Sequence, residues 1–388
     1  MVRGMFCHDL PIYKDIDGVY CSTTLTDAIF SRYLDVVDEL VIATRVYPLH
    51  TTFGNAGQER ITLSSLRFID FPNVNTPRAL FGIISRVKKM LEEEMKNVDL
   101  VFIRGGTIAL ISVAVAKKLG KPYLLECGGS AWDSYWYHSL VGKFIAPFME
   151  IKSKIAVRDA AMVVYVTKDW LQRKYPTNGI SASVSDVLID FSDPNILSNR
   201  IKHIEERHTH QLIVGTIAAV DVRYKGQEYV IKAISLLKNK VNICYEIVGG
   251  GNSTYLKNLA MKYGVSDNVC FKGELTHAEV LSWLDSIDIY IQPSITEGLP
   301  RALIEAMSRG CPALGTDVGG IPELLNQKFL FKKRSPENIA KIINRMDSNE
   351  LKSAAIENYN KAKQYNLEVL NEKRQLAFEK YRKIVLGE

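Results

Sequence analysis

The sequence predicts an α/β protein with two Rossmann-like, doubly wound domains in tandem, and three observations carry that expectation. Short continuous apolar runs alternate with amphipathic stretches, the scheme occurs twice, and a polar stretch without strand periodicity, FSDPNILSNRIKHIEERHTHQ (191–211), lies between the two occurrences. Runs that are apolar throughout, rather than alternating, read as strands of a parallel sheet covered on both faces by crossover helices. A length of 388 residues also exceeds one ordinary core.

In the first half the expected strands are VRGMFC (2–7), ELVIATRV (39–46), RFIDF (67–71), LVFIR (100–104), PYLLEC (122–127), AMVVYV (161–166) and SDVLI (185–189). Helical stretches near 23–36, 79–96, 107–119 and 139–158 separate most of them. In the second half LIVGTIA (212–218), NICYEIVG (242–249), NVCFKG (268–273), IDIYIQP (287–293) and CPALGT (311–316) read as strands. Helices near 227–238, 253–263, 277–285, 300–309 and 335–346 fall between or after them, and LEVLNEKRQLAFEKYRKIVLGE is a terminal amphipathic helix. The expected organisation is one domain over 1–195, a second over 205–365, and a helix over 366–388 packing back on the first. Ligands bind beyond the carboxyl ends of the strands in such sheets, so the expected site is an interdomain cleft.

Composition narrows the function classes. Hydrophobic content of 47% and charged content of 24% are those of a soluble globular protein. A net charge of +6 suits anionic small molecules or an anionic surface and falls short of a nucleic-acid footprint. Six scattered cysteines without a CxxC pair argue against a disulfide framework or structural zinc and fit a reducing, cytoplasmic compartment. MVRGMFCHDLPIYKD has no apolar core of a signal peptide, and TIALISVAVA (107–116) is too short to span a bilayer.

EGLPRALIEAMSRGCP (297–312) carries the strongest chemical signal. A strand end delivers Ser294 to Glu297, Pro300 suits the first helical position, and Gly310 and Pro312 stop the helix. The N–H groups of Gly298, Leu299 and Arg301 then form an anion-binding helix terminus. Glu297 beside that terminus and Glu305 inside the helix suit a ligand that brings phosphates to the helix and hydroxyls to the carboxylates. In DVRYKGQEYVIKAISLL (221–237) a loop presents Lys225, with Arg223 close by, as a second phosphate contact. IVGGGNSTYL (247–256) offers Gly249-x-Gly251, but Thr254 occupies the sixth position and the strand is not the first of its domain, so it reads as a tight loop approaching a ligand, not a nicotinamide site.

These residues resemble the donor domain of the retaining GT-B glycosyltransferases of family GT4, the glycosyl transferases group 1. The ordered motifs are Lys225-Gly226, IVGGG (247–251), VCFKG (269–273), PSITEGLP (293–300), EAMSRGCP (305–312) and VGGIPELL (318–325). The resemblance implies a nucleotide diphosphate sugar, UDP- or GDP-linked, with Glu305 on the ribose, Glu297 on the transferred sugar, and Lys225 with the turn Gly298-Leu299-Pro300-Arg301 on the diphosphate. Gly250, Gly251 and Lys272 join the donor side, and Arg223 takes the place of an arginine that relatives carry where Ala219 stands here. It also implies no metal and no cofactor, retention of anomeric configuration, and an acceptor that is a glycan or a lipid-linked saccharide in bacterial surface polysaccharide assembly. The first domain matches more weakly: one glycine, Gly18, follows the first strand, and PYLLEC runs into Cys127-Gly128-Gly129 without a histidine. Gly18, Glu126, Gly128 and Gly129 are its acceptor-side residues, with pairing of Glu126 to Arg104 an equal alternative. A nucleotide-sugar 2-epimerase, another GT-B enzyme such as a sugar phosphorylase, and a non-catalytic sugar-nucleotide sensor are the competing readings.

Three further features remain. His203, His208 and His210 lie in a polar stretch without metal-site spacing. Trp132, Tyr135, Trp136 and Tyr137 suit either sugar stacking or core. RALFGIISRVKKML (78–91), with Arg78, Arg86, Lys88 and Lys89, and HSLVGKFIAPFMEIKSKIAVR (138–158), with Lys143, Lys152, Lys154 and Arg158, are basic and amphipathic, as ordinary surface helices and peripheral membrane contacts at the inner face of a cell membrane both are.

Overall fold

Apolar runs need two covered faces, and here they find them in two parallel sheets. The computed structural model describes residues 1–49, 58–74, 82–206, 211–238 and 240–388. The chain divides into two units, Met1–Val184 with Asn371–Glu388, and Ser185–Leu370.

The first unit holds β1 (Arg3–Cys7), β2 (Ile12–Lys14), β3 (Tyr20–Ser22), β4 (Glu39–Pro48), β5 (Glu59–Arg60), β6 (Leu66–Phe71), β7 (Leu100–Arg104), β8 (Leu124–Cys127), β9 (Met162–Tyr165) and β10 (Ile180–Ser183). β1 pairs in parallel with β4 on one side and β7 on the other. β6 continues the sheet beyond β4, and β8, β9 and β10 continue it beyond β7, all parallel. The order in which the chain adds strands therefore reverses between β1 and β7, the switch point where such sheets take ligands. The long β4 runs on to pair with β2, and the antiparallel β2, β3 and β5 extend that end. Met5, Val41, Val101, Leu125 and Val163 fill one core under the helices Ile83–Met95 and Thr107–Lys118. The C-terminal segment belongs to this unit: the Phe378 ring stacks on Tyr33 at 5.2 Å, and the Tyr381 hydroxyl bonds Val101 N at 3.1 Å and Val101 O at 3.0 Å.

The second unit holds β11 (Leu212–Ile217), β12 (Ile243–Val248), β13 (Val269–Gly273), β14 (Ile289–Gln292), β15 (Ala313–Thr316) and β16 (Leu330–Phe331), in the order β13-β12-β11-β14-β15-β16 and parallel throughout. This is the doubly wound order 3-2-1-4-5-6, with its switch point between β11 and β14.

Two expectations, one strand and one junction, differ from what is seen. SDVLI forms no strand; Ile189 makes only an isolated bridge to Asn366, and the sheet partner of β9 is Ile180–Ser183. The polar stretch 191–211 contains a helix, Ile196–Glu206. Its buried side is Ile196, Arg200 and Ile204, and the Arg200 guanidinium bonds the carbonyls of Leu284 and Ile287, both at 2.6 Å, and of Arg309. One arginine thus caps the ends of two helices, which leaves the sequence looking polar where the chain is packed. Of the three histidines, His203 bonds Asp288 at 3.2 Å, and His208 and His210 lie outside the described residues, as does Arg78. Among the described residues no helix is long and apolar enough to cross a membrane.

Candidate functional site

The second unit gathers its polar groups where β11 and β14 end. After β11 the chain turns through Arg223–Lys225 and enters the helix Gln227–Leu237 at Gly226, whose φ is +79°. A Cβ on Gly226 would lie 2.0 Å from the carbonyl oxygen of Pro293, so only glycine lets this loop reach the end of β14. The Ile295 N–H donates to Tyr224 O at 2.7 Å and ties the two strand ends together.

That approach brings Lys225 Nζ to 2.7 Å from Glu297 Oε1. Two buried side chains donate to the same oxygen, Ser294 Oγ at 2.7 Å and Gln292 Nε2 at 3.1 Å. Gln292 is itself held by the buried Tyr290 hydroxyl, which donates to Oε1 of Gln292 at 2.8 Å. Three donors on one carboxylate oxygen fix the side chain. The next motif braces the turn from outside: Gly320 N donates to Gly298 O at 2.7 Å, and a Cβ on Gly319 would meet Glu297 O at 2.1 Å.

The helix Arg301–Ser308 follows, with Pro300 at its N-cap, ψ +112°. Pro300 therefore sits one place before the first helical position expected for it, because its extended ψ turns the chain before the helix begins. Glu305 lies in that helix, half-buried. Burial pushes its carboxyl above the ordinary range, against the pull of His277 and Arg301.

The remaining donor-side residues lie elsewhere in the unit. Arg223 is held by Glu228 at 2.6 Å and lies over the Tyr255 ring at 3.5 Å, outside the Lys225–Glu297 cluster. Lys272, on edge strand β13, pairs with Glu246 on β12 at 2.8 Å, and Trp283 Nε1 donates to the other oxygen of Glu246 at 2.6 Å. The glycines after β12 are required by protein neighbours: added Cβ atoms at Gly249, Gly250 and Gly251 would collide with Ala218 O, Glu274 and Asp221. The loop is tight, as its composition implies, and what it approaches in this structure is its own backbone and two carboxylates.

The first unit has a cavity of ≈ 460 Å³ at the carboxyl ends of β1, β7 and β8, lined by His8, Arg104, Gly105, Gly106, Glu126, Gly128, Gly129 and Tyr135 among others. Glu126 both lines it and is paired: its carboxylate accepts from the Tyr33 hydroxyl and lies 3.5 Å from Arg104 Nη1. Gly18 lies apart from it, in the turn between β2 and β3, where φ of +80° and the Gly18 N–H to Asp15 O bond explain the residue. The glycine pair at the switch point is instead Gly105-Gly106 after β7. A Cβ on Gly106 would meet Asp9, whose carboxylate receives Thr107 N at 2.8 Å and caps that helix.

His8 went unnoticed in the sequence because one histidine after an apolar run carries no motif. Its Nδ1 faces the carbonyls of Arg104, at 3.0 Å, and Gly105. Carbonyls only accept, so Nδ1 carries the proton and Nε2 is the basic nitrogen. Burial, with the Arg104 charge, lowers its pKa to about 4, so the ring is neutral at pH 7.

Residues 198–364 match the family described as glycosyl transferases group 1. The chain is 34% identical over 393 residues to protein CapJ of Staphylococcus aureus, covering 98% of this chain and 96% of that one. It is 27% identical over 280 residues, 69% of this chain and 66% of the other, to the putative teichuronic acid biosynthesis glycosyltransferase TuaC of Bacillus subtilis. The fold is that of the Anabaena protein Alr3699/HepE solved with UDP-glucose, with a TM-score of 0.65 at 15% identity over 98% of this chain and 100% of that one.

Proposed function

The chain belongs to the glycosyl transferases group 1 family, and from that premise we propose that it is a retaining, metal-independent transferase taking a sugar from a UDP- or GDP-sugar to a hydroxyl of a glycan or lipid-linked saccharide. The observation that carries the reading is the convergence of Lys225, Glu297 and the helix terminus after Gly298 at the switch point of β11 and β14.

In the proposed reaction the bond from the sugar anomeric carbon to the diphosphate oxygen breaks as the acceptor oxygen bonds that carbon from the same face. The acceptor hydroxyl proton passes to the leaving phosphate. Negative charge grows on the diphosphate, and Lys225 with the N–H groups of the turn Gly298–Arg301 is aimed at it, which is stabilisation by groups already in place. Lys225 must then share itself between Glu297 and phosphate, so donor binding loosens the 2.7 Å ion pair and frees Glu297 for sugar hydroxyls. Glu305, half-buried and raised in pKa, suits ribose hydroxyls, whose hydrogen bonds compensate the buried charge. The cavity of the first unit, with Glu126, Gly128, Gly129 and His8, is assigned to the acceptor. The likeness to TuaC, a putative teichuronic acid biosynthesis glycosyltransferase, supports a setting in bacterial polysaccharide assembly, which we assign to the cytoplasmic side.

The test is release of nucleoside diphosphate from a panel of nucleotide sugars with and without glycan acceptors, in the presence of a chelator. Release that depends on acceptor and survives the chelator is expected. Glu305→Ala should weaken donor binding, and Glu297→Ala should lower kcat more than nucleotide affinity. Interconversion of donors without acceptor would mean an epimerase, and binding without turnover a sensor; either replaces this reading.

A further inference from the structure

The helix Leu140–Arg158 has two apolar faces, and only one is covered. Gly142, Ala146, Ala156 and Val157 pack into the first unit, and Met149, Ser153, Ala156 and Val157 line its cavity. On the opposite side Leu140, Val141, Phe144, Phe148, Ile151 and Ile155 stand in solvent, with Phe144 87% and Leu140 76% exposed. At about 100° per residue they form one stripe about 100° wide running the length of the helix. The other basic stretch behaves differently: in Ile83–Met95 the apolar residues Val87, Leu91 and Met95 are buried, and its exposed residues are Ser85, Arg86, Lys88, Lys89 and Glu93. A contiguous exposed apolar stripe of this length marks an interaction surface.

Charge says what covers it. Lys143, Lys152 and Lys154 are exposed on the same helix, Lys152 lying 4.3 Å over the Phe148 ring, and its single acid, Glu150, is buried and already paired with Lys154 at 3.5 Å, which leaves Lys143 and Lys152 for an outside anion. Arg158 ends the row, beside Asp159. A second copy laid on this stripe would set lysines against lysines with no exposed acid on the helix to pair them. An anionic lipid surface supplies what both parts need, acyl chains for the stripe and phosphates for the lysines.

We infer that the helix Leu140–Arg158 docks the protein on an anionic lipid bilayer, lying in the plane of the interface with Phe144 and Phe148 inserted below the headgroups. Because the other side of the same helix lines the first unit's cavity, docking brings that cavity to the surface that carries a lipid-linked acceptor. This last point rests on the function proposed above; the docking itself does not.

The experiment is co-sedimentation of the full chain with vesicles of phosphatidylcholine alone or with phosphatidylglycerol, at low and high salt. Binding to the anionic vesicles is expected to be at least tenfold tighter than to neutral ones and to weaken with salt. Phe144→Ser with Phe148→Ser should reduce it at least tenfold while the melting temperature and nucleotide binding stay unchanged, since both rings are exposed. Lys143→Glu with Lys152→Glu should abolish the preference for anionic lipid. No binding to either vesicle, or binding that neither pair of substitutions alters, overturns the inference. So does a dimer in sedimentation velocity that Phe144→Ser with Phe148→Ser dissolves, which would assign the stripe to a second copy. Vesicle binding without any glycosyl transfer would leave the docking standing and remove the proposed function instead.

Discussion

Glu297 shows how far one carboxylate of the candidate site depends on the side chains around it. Its Oε1 takes Lys225, Ser294 and Gln292 together, and the last two are buried, so they act by holding the carboxylate in one orientation. A hydrogen bond to a charged group contributes about 1.5 kcal/mol, which is about tenfold in rate if it is felt only in the transition state. Ser294→Ala is therefore expected to lower kcat about tenfold and leave nucleotide affinity, measured by calorimetry, within about twofold. An equal loss in both would make Ser294 a part of donor binding instead. His8 gives a prediction of another kind. Its pKa in the folded protein is about 4, below the usual histidine value of about 6.5. Above pH 6.5 the ring is neutral folded or unfolded and costs nothing. Between about 6.5 and 4 the unfolded chain binds a proton that the native one refuses, so stability falls as pH falls, by about 1.4 kcal/mol per pH unit at most. Unfolding free energies from urea titrations at pH 7 and pH 5 should differ by on the order of 2 kcal/mol more in the native protein than in His8→Gln. Equal differences would mean that the ring is not desolvated.

At the level of elements, the loop that carries Lys225 works because its glycine can be where no side chain fits. Gly226→Ala must both hold φ near +79° and push Pro293 O away, which together cost at least about 2 kcal/mol and move Lys225 off Glu297. Gly264→Ala is the comparison: φ is +66° there too, but the nearest atom is Lys238 Nζ at 3.6 Å, the far end of a flexible side chain. Thermal unfolding should show Gly226→Ala as clearly the worse of the two, and only Gly226→Ala should also lose nucleotide affinity. The same contrast explains what could be read from the sequence. Lys225-Gly226, the Glu297 turn and VGGIPELL are legible because backbone geometry restricts each to a few residue types, and those types survive as a pattern. The helix Ile196–Glu206 was hidden because its buried centre is Arg200, which satisfies carbonyls from two other helices, and periodicity scores an arginine as surface. β2, β3 and β5 are two or three residues long, too short to show any period. Arg223 and Lys272 join the donor side on their charge alone, because a sequence does not show Glu228 and Glu246, the partners that hold them in the structure.

For the whole molecule, the consequence lies in the order of the chain. Residues 185–370 form one unit without interruption, and the other unit needs both ends of the sequence. Phe378 and Tyr381 are fully buried against Tyr33 and Phe102, and Tyr381 bonds the backbone of β7 at Val101. Deleting a buried aromatic costs about 3–5 kcal/mol, a large share of what a domain has. Phe378→Ala should lower the unfolding free energy of the first unit by about that amount and leave the second unit's transition in place. Residues 1–184 expressed alone would expose this aromatic seam and are expected to aggregate, and supplying residues 371–388 should restore solubility. Residues 185–370 alone carry Lys225, Glu297, Glu305 and the helix terminus, so they are expected to unfold cooperatively and to bind nucleoside diphosphate without transferring sugar. Calorimetry on that piece decides the matter. Folding without nucleotide binding would show that the Lys225–Glu297 cluster is a structural ion pair, and the donor site would have to be sought elsewhere.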